Sequence, residues 1–133
     1  MHITLESDYA VRIVDCLSVQ EARLGAGSIA EQTGVTPRFT LKILHKLVSS
    51  GLVRSYKGAK GGYELAQNPD KITLRAVIEV IEGPYTFSRC LNPVHDCKCT
   101  MSVCRSGNCR FQRVYDEISE IVRAKLDETT FSQ

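Results

Sequence analysis

Apolar residues return every three or four positions along most of the chain, and the stretches where they do not are short. In SDYAVRIVDCLSV, Ala10, Ile13, Val14 and Leu17 fall on one face while Asp8, Arg12 and Asp15 fall on the other. This spacing predicts a helix over 8–21, with Ser7 able to cap its start. The following ARLGAG, with two glycines, breaks it. In SIAEQTGVTPRFTLKILHKLVSSGLV, Ser28 and Glu31 have capping-box spacing, Gly34 ends a short helix, and Pro37 opens a second over 37–50. Two short helices across a tight glycine-containing turn form the helix-turn-helix pattern, with Ile29, Ala30, Leu41, Leu44, Leu47 and Val48 as its expected core.

The period then changes. GLVRSYKGAKGGYELAQ contains two strand-like runs, 52–56 and 63–66, around a loop of glycine and lysine, so a basic hairpin follows the helix pair directly. Helical spacing resumes in ITLRAVIEVIEGP, where Leu74, Val77, Ile78 and Ile81 share a face that Gly83 and Pro84 terminate. A long final helix carries Phe111, Val114, Tyr115, Ile118, Ile121, Val122 and Leu126 on one stripe, and the closing TTFSQ is expected to be free of the fold. The elements predict a mainly α-helical chain with a small β-hairpin wing: a winged helix-turn-helix plus a long C-terminal dimerisation helix. The long stripe needs a cover, and a second copy of the same helix would present two recognition helices to a palindromic site.

At 133 residues, with 43% hydrophobic and 24% charged residues, the chain is sized and composed like one compact domain. No apolar run is long enough for a membrane span, and Glu6 and Asp8 interrupt what a secretory leader would keep apolar, so a cytoplasmic protein is expected. The net charge is only +2, but its distribution is uneven. From Thr36 to Tyr63 there are six basic residues (Arg38, Lys42, Lys46, Arg54, Lys57 and Lys60) and no acid, which marks a surface for nucleic acid. Arg38 and Lys42 lie one turn apart near the start of the second helix, where a recognition helix meets base edges and phosphates. Lys57 and Lys60 stand on the wing, and Ser28, Thr36 and Arg54 complete the expected DNA-binding set. His45 is expected to face solvent or phosphate. No nucleophile with an associated base, phosphate loop or pocket-forming α/β pattern suggests an enzyme.

The remaining chemistry is in CLNPVHDCKCTMSVCRSGNC, which runs from Cys90 to Cys109 and holds five of the six cysteines. In a reducing compartment such a cluster points to ligands or a redox switch rather than a disulfide framework. Several thiolates converging from one segment suit an iron-sulfur cluster. Cys97, Cys99, Cys104 and Cys109, with His95 nearby, suit zinc, although paired CxxC knuckles are absent. Cys104 and Cys109 also suit oxidation to a disulfide across a short loop. Cys16, inside the first helix, reads as a small buried hydrophobe.

DYAVRIV, IAEQTGV, the KIL..L...GLV run, the wing KGAKGGYELA and IEVIEGP before the cysteines together resemble the bacterial winged-helix regulators typified by IscR, NsrR and RirA. The resemblance spans 8–126, and its most specific parts are the GxxGGYxL wing and the EGP-to-cysteine junction. It implies a dimeric DNA-binding transcription factor, usually a repressor, in which three cysteines hold an iron-sulfur cluster and a fourth ligand varies between branches. Assembly, loss or nitrosylation of that cluster would alter operator binding. It further implies a winged-helix domain over 1–83, a sensor loop over 84–108, and a dimerisation helix and tail over 109–133. Cys90 matches the first family cysteine and Cys109 the last. Cys104 is the first choice for the middle ligand, one residue out of register, with Cys97 and Cys99 as alternates. Where some members place a ligating histidine this chain has Gln112, whereas Asp8 matches the acidic fourth ligand that other members take from the partner subunit. That match favours a four-iron over a two-iron cluster; zinc, or no metal, are the alternatives.

Overall fold

The computed structural model describes residues 2–92 and 107–132. Helix α1 (Leu5–Ser18) packs against α2 (Ala26–Thr33), α3 (Pro37–Ser49) and α4 (Leu74–Glu82), and α5 (Arg110–Glu128) closes over α4. A hairpin of β1 (Val53–Tyr56) and β2 (Gly62–Leu65) lies between α3 and α4, paired antiparallel from Val53 opposite Leu65 to Tyr56 opposite Gly62. The core draws Ala10, Ile13 and Val14 from α1, Ile29 from α2, Ile43, Leu44 and Leu47 from α3, Ile72, and Val77 from α4. This is the mainly helical winged-helix arrangement that the sequence pattern predicts.

Several elements differ in detail from their sequence expectation. Helix α1 begins three residues earlier than expected, because Thr4 rather than Ser7 caps it, its side chain accepting from the Ser7 amide. Ser7 instead lies buried one turn in and donates to Glu82 Oε1 at 2.5 Å. The capping box is not formed: Gly25 is the N-cap of α2 without a side-chain hydrogen bond, so Ser28 and Glu31 fall inside the helix and are exposed. Leu41 is not core. Thr40, Ile43, Leu44 and Leu47 form the inward stripe of α3, and Leu41 is 52% exposed on the opposite side.

The tail is also part of the fold. Thr130 bridges Thr73, Leu74 donates to the Thr129 carbonyl at 2.8 Å, and Phe131 is buried beside Ile72. An aromatic ring two backbone pairings away from a helix end has an apolar site to enter, which outweighs the freedom of a terminus. Finally, the stripe of α5 divides. Ser119 is buried and Tyr115, Val122 and Leu126 are half-buried on the inner side, while Phe111, Val114 and Ile121 are 50–70% exposed. No helix among the described residues is long and apolar enough to cross a membrane.

Glu82 ties the start of α1 to the end of α4, accepting from Ser7 Oγ, the Thr4 amide at 2.8 Å and Thr4 Oγ1 at 2.9 Å. Partial burial pushes this carboxyl up, but the hydrogen bonds from Ser7 and Thr4 outweigh it and hold it below the usual value. A carboxyl depressed in the folded state contributes stability above its unfolded pKa and loses it as pH falls through the folded one. Wild type should therefore lose denaturation midpoint as pH drops below about 4.5, the ordinary carboxylate range. Glu82→Gln should be less stable at pH 7 and show a flatter decline, as followed by urea unfolding from pH 7 to pH 3.

Candidate nucleic-acid interface and sensor junction

Helix α3 is built as a two-faced element. Thr36 caps it, its hydroxyl accepting from the Phe39 amide at 3.4 Å, and Pro37 occupies the first turn, where its missing N–H costs nothing. With Thr40, Ile43, Leu44 and Leu47 inward, the outward face presents Arg38, Leu41, Lys42 and His45 at spacings of three and four. Thr36 and Ser28 are exposed beside this face. Arg54, Lys57 and Lys60 are exposed on the wing. Among the described residues, Arg38, Arg54, Lys57 and Lys60 make no ion pair.

Lys42 differs. Its ammonium lies 3.4 Å from Glu6 Oε1, which Lys46 approaches to 2.6 Å. The hydrogen bond from Lys46 is the main reason the Glu6 carboxyl sits below its ordinary value. Lys42 also lies over the Phe39 ring at 5.8 Å, and Phe39 meets Tyr9 edge-on at 6.0 Å. Sequence reasoning missed Glu6 because the basic stretch is acid-free only along the chain; in space α1 brings an acid to it.

The wing is braced by residues that the sequence pattern assigned to a break. Leu24 exchanges two backbone hydrogen bonds with Tyr63, at 3.0 and 2.8 Å, an isolated antiparallel bridge against the outer side of the two-stranded hairpin. Arg23 places its guanidinium 3.3 Å from the Tyr56 ring centroid, 3.5 Å from the Glu64 carboxylate, and 3.4 Å from the Lys60 carbonyl. The signal available in the sequence was a single arginine in ARLGAG, too little to identify a brace. Gly62 has φ of +128°, and a Cβ there would stand 2.7 Å from the Leu24 carbonyl oxygen.

Of the expected metal ligands, Cys90 and Cys109 come to one junction. Cys90 lies in a 3-10 turn (Arg89–Leu91) begun by Ser88, whose hydroxyl is 3.2 Å from its sulfur. Its carbonyl accepts from the Gln112 carboxamide at 3.3 Å, drawing the turn onto the first turn of α5, where Cys109 is the N-cap. Both are half-buried. Gln112 thus holds the Cys90 backbone, the position where some relatives would have a histidine ligand. Asp8 sits in a different setting, on α1 with its carboxylate 2.7 Å from Arg12. Cys97, Cys99 and Cys104 lie outside the described residues. Thiols at these two positions are soft donors, a ligand type that suits iron-sulfur ligation. Burial, and then the neighbouring Asp15 carboxylate, push the Cys16 thiol up, in keeping with an unreactive position.

The junction is wired to the rest of the molecule. The Phe87 amide donates to the buried Ser119 hydroxyl at 2.9 Å, and Arg123 donates to the Tyr85 carbonyl at 2.9 Å, so the segment before Cys90 lies along α5. Arg75 of α4 pairs with Asp127 of α5 at 2.8 Å, and Glu82 continues the chain of contacts to α1.

The family model for Rrf2, described as iron-dependent transcriptional regulator, matches residues 3–133. The chain is 29% identical to the HTH-type transcriptional regulator CymR of Bacillus subtilis over 132 residues, 98% of this chain and 86% of that protein. It is 36% identical over 90 residues to an HTH-type transcriptional regulator of Aquifex aeolicus, 67% of this chain and 62% of that protein. The match to IscR of Aliivibrio salmonicida is 32% over 92 residues and covers 55% of it. The chain therefore spans about three fifths of the length of some curated relatives that it matches. Among solved structures, CymR of B. subtilis, the global cysteine regulator, superposes with a TM-score of 0.75 at 27% identity, covering 98% of this chain and 93% of that one. IscR of T. potens superposes with a TM-score of 0.67 at 28% identity, covering 98% and 83%.

Proposed function

The chain belongs to the Rrf2 family of transcriptional regulators, and we propose that it binds double-stranded DNA as a homodimer on a palindromic operator, under the control of an iron-sulfur cluster in the Cys90–Cys109 loop. The observation that carries the DNA reading is the outward face of α3, with Arg38 near its N-terminus, beside a braced wing carrying Arg54, Lys57 and Lys60, none of these four cations having an ion-pair partner among the described residues. That face supplies base contacts from Arg38 and phosphate contacts from Ser28, Thr36, Lys42, Arg54, Lys57 and Lys60. The exposed row Phe111, Val114 and Ile121 on α5 is the seam for a second copy.

Cys90, Cys109 and Cys104 would hold the cluster, with Asp8 of the partner or one of Cys97 and Cys99 completing it; the four-iron form suits the Asp8 match better than the two-iron form. When bound, the cluster supplies a redox- and nitric-oxide-sensitive bond set. The chain's own part is transmission. Gln112 fixes the Cys90 turn to α5, Ser119 and Arg123 hold the preceding segment to the same helix, and Arg75 and Glu82 relay its position through α4 to α1. A small displacement of α5 then changes how the two recognition helices meet their half-sites.

A second reading has its own support, since CymR, a global cysteine regulator, is among the relatives matched along nearly the whole chain. In it the loop thiols act directly, by disulfide formation between Cys104 and Cys109. Iron and sulfide analysis of anaerobically purified protein separates the two: the cluster reading requires both, the thiol reading neither.

For DNA, binding selection from random duplexes followed by anisotropy titration is the direct measurement. Arg38→Ala should cost about 1–3 kcal/mol on the selected site and relax preference at one base position, whereas Lys57→Ala should weaken all sequences alike and reduce the salt slope by about 1. Unchanged binding in both variants would overturn the interface.

A further inference from the structure

We propose that Glu6 is a built-in counter-anion of the recognition helix, one that DNA phosphate must displace from Lys42 and Lys46, so that Glu6 lowers the affinity of the chain for DNA of arbitrary sequence. The inference rests on the DNA-binding reading above and concerns how that surface is tuned.

Glu6 Oε1 lies 2.6 Å from Lys46 and 3.4 Å from Lys42, so one carboxylate engages two cations of a single helix. The other cations of the surface, Arg38, Arg54, Lys57 and Lys60, have no such partner among the described residues. Glu6 is also held in place. It belongs to the first turn of α1, whose flanking Thr4 and Ser7 are fixed by Glu82 of α4. A carboxylate in the first turn is further favoured by the helix dipole. The pairing is one-sided in exposure: the side chain of Glu6 is 24% exposed, that of Lys46 36% and that of Lys42 54%. Glu6 approaches from the protein side and leaves the lysines open to an incoming phosphate.

Non-specific binding to duplex DNA is driven by release of counterions from phosphates that the protein neutralises. A lysine that already has a protein-borne anion gains less from a phosphate, and the anion itself repels the backbone. Base-reading contacts such as those of Arg38 are untouched by this competition. Glu6 therefore lowers the electrostatic part of binding that duplexes of every sequence share.

The test is Glu6→Gln, titrated by anisotropy with a random-sequence duplex over a range of salt, alongside Lys46→Ala in both backgrounds. Each phosphate contact regained has a slope of about 0.9 and is worth roughly fivefold at 0.15 M salt. We expect affinity to rise between about 5-fold and about 30-fold and the slope to steepen by about 1 to 2 for each recognition helix. Lys46→Ala should cost little in wild type and several-fold in the Glu6→Gln background. Glu6→Asp, which keeps the charge but withdraws it by one methylene, should fall between, and keeps the test readable if Glu6→Gln folds poorly. A salt-dependent wild type whose affinity and slope are unmoved by Glu6→Gln and Glu6→Asp overturns the proposal alone, as does an equal cost of Lys46→Ala in both backgrounds. Failure of wild type to bind any duplex at low salt overturns the DNA reading and this proposal together.

Discussion

Anaerobically prepared Cys90→Ser and Cys109→Ser proteins are expected to lose bound iron and sulfide almost completely, while remaining folded and able to bind non-specific duplex. The two thiols stand at the head of α5, held there by a Ser88 contact, the helix cap and the Gln112 hydrogen bond. Serine keeps their size and their polarity, so neither the 3-10 turn nor the start of α5 has reason to open. The thiolate is what is lost, and hydroxyl oxygen is a poor substitute for a soft ligand. The measurement is iron and acid-labile sulfide content with the visible spectrum, against far-ultraviolet circular dichroism as the control for folding. Full cluster content in both variants would remove these positions from the ligand set. Gln112→Ala provides the intermediate case: no ligand is removed, but the Cys90 carbonyl loses its donor, so the cluster should assemble and be shed faster than in wild type.

The second large effect is on the wing. Gly62→Val should destabilise the fold by about 3–5 kcal/mol, adding backbone strain of order 1–3 kcal/mol to the loss of two hydrogen bonds worth about 1 kcal/mol each. At φ of +128° the residue lies where a side chain is strained in any event, and its Cβ would approach the Leu24 carbonyl oxygen to 2.7 Å and carbon to 2.9 Å. Those atoms are backbone and cannot rotate aside. Relief comes only by parting Leu24 from Tyr63, which removes the bridge and with it the support under Arg23. Gly25→Ala is the matched control, since nothing lies within 4 Å of a Cβ there and its φ is −70°. Chemical unfolding should place Gly25→Ala within about 1 kcal/mol of wild type, the cost of alanine at an N-cap. Equal losses in the two variants would mean that the close approach is not what requires glycine.

How much of this was legible before the structure depends on whether the deciding partner is near in sequence. Of the expected α3 core Leu44 and Leu47 are buried and Thr40 and Ile43 join them in place of Leu41, whereas the face of α4 and the hairpin around its glycines are set by local period and turn chemistry, and each is found where the pattern puts it. The start of α1 was not, because Thr4 and Ser7 are both competent caps and the choice is made by Glu82, 75 residues beyond Ser7. Leu41 was misread for a different reason: one apolar residue on a polar face adds to the hydrophobic count without adding to the stripe. In the candidate interface the cations were legible and their counter-anion was not, since Glu6 lies 40 residues from Lys46 along the chain. The resemblance marks Cys90 and Cys109 as the two ends of the loop but says less about what lies between.

The docking of Phe131 has a consequence for biosynthesis. This ring joins the hydrophobic cluster of the helix-turn-helix and α4 from beyond the end of α5, so a nascent chain that has delivered both of the DNA-reading elements still lacks a piece of their core. During synthesis from the N-terminus, the DNA-reading part can form early, but it cannot reach its final stability until the Cys90–Cys109 segment and the whole of α5 have also left the ribosome. Partial products that present α3 without α5 are thereby left less stable than the finished chain.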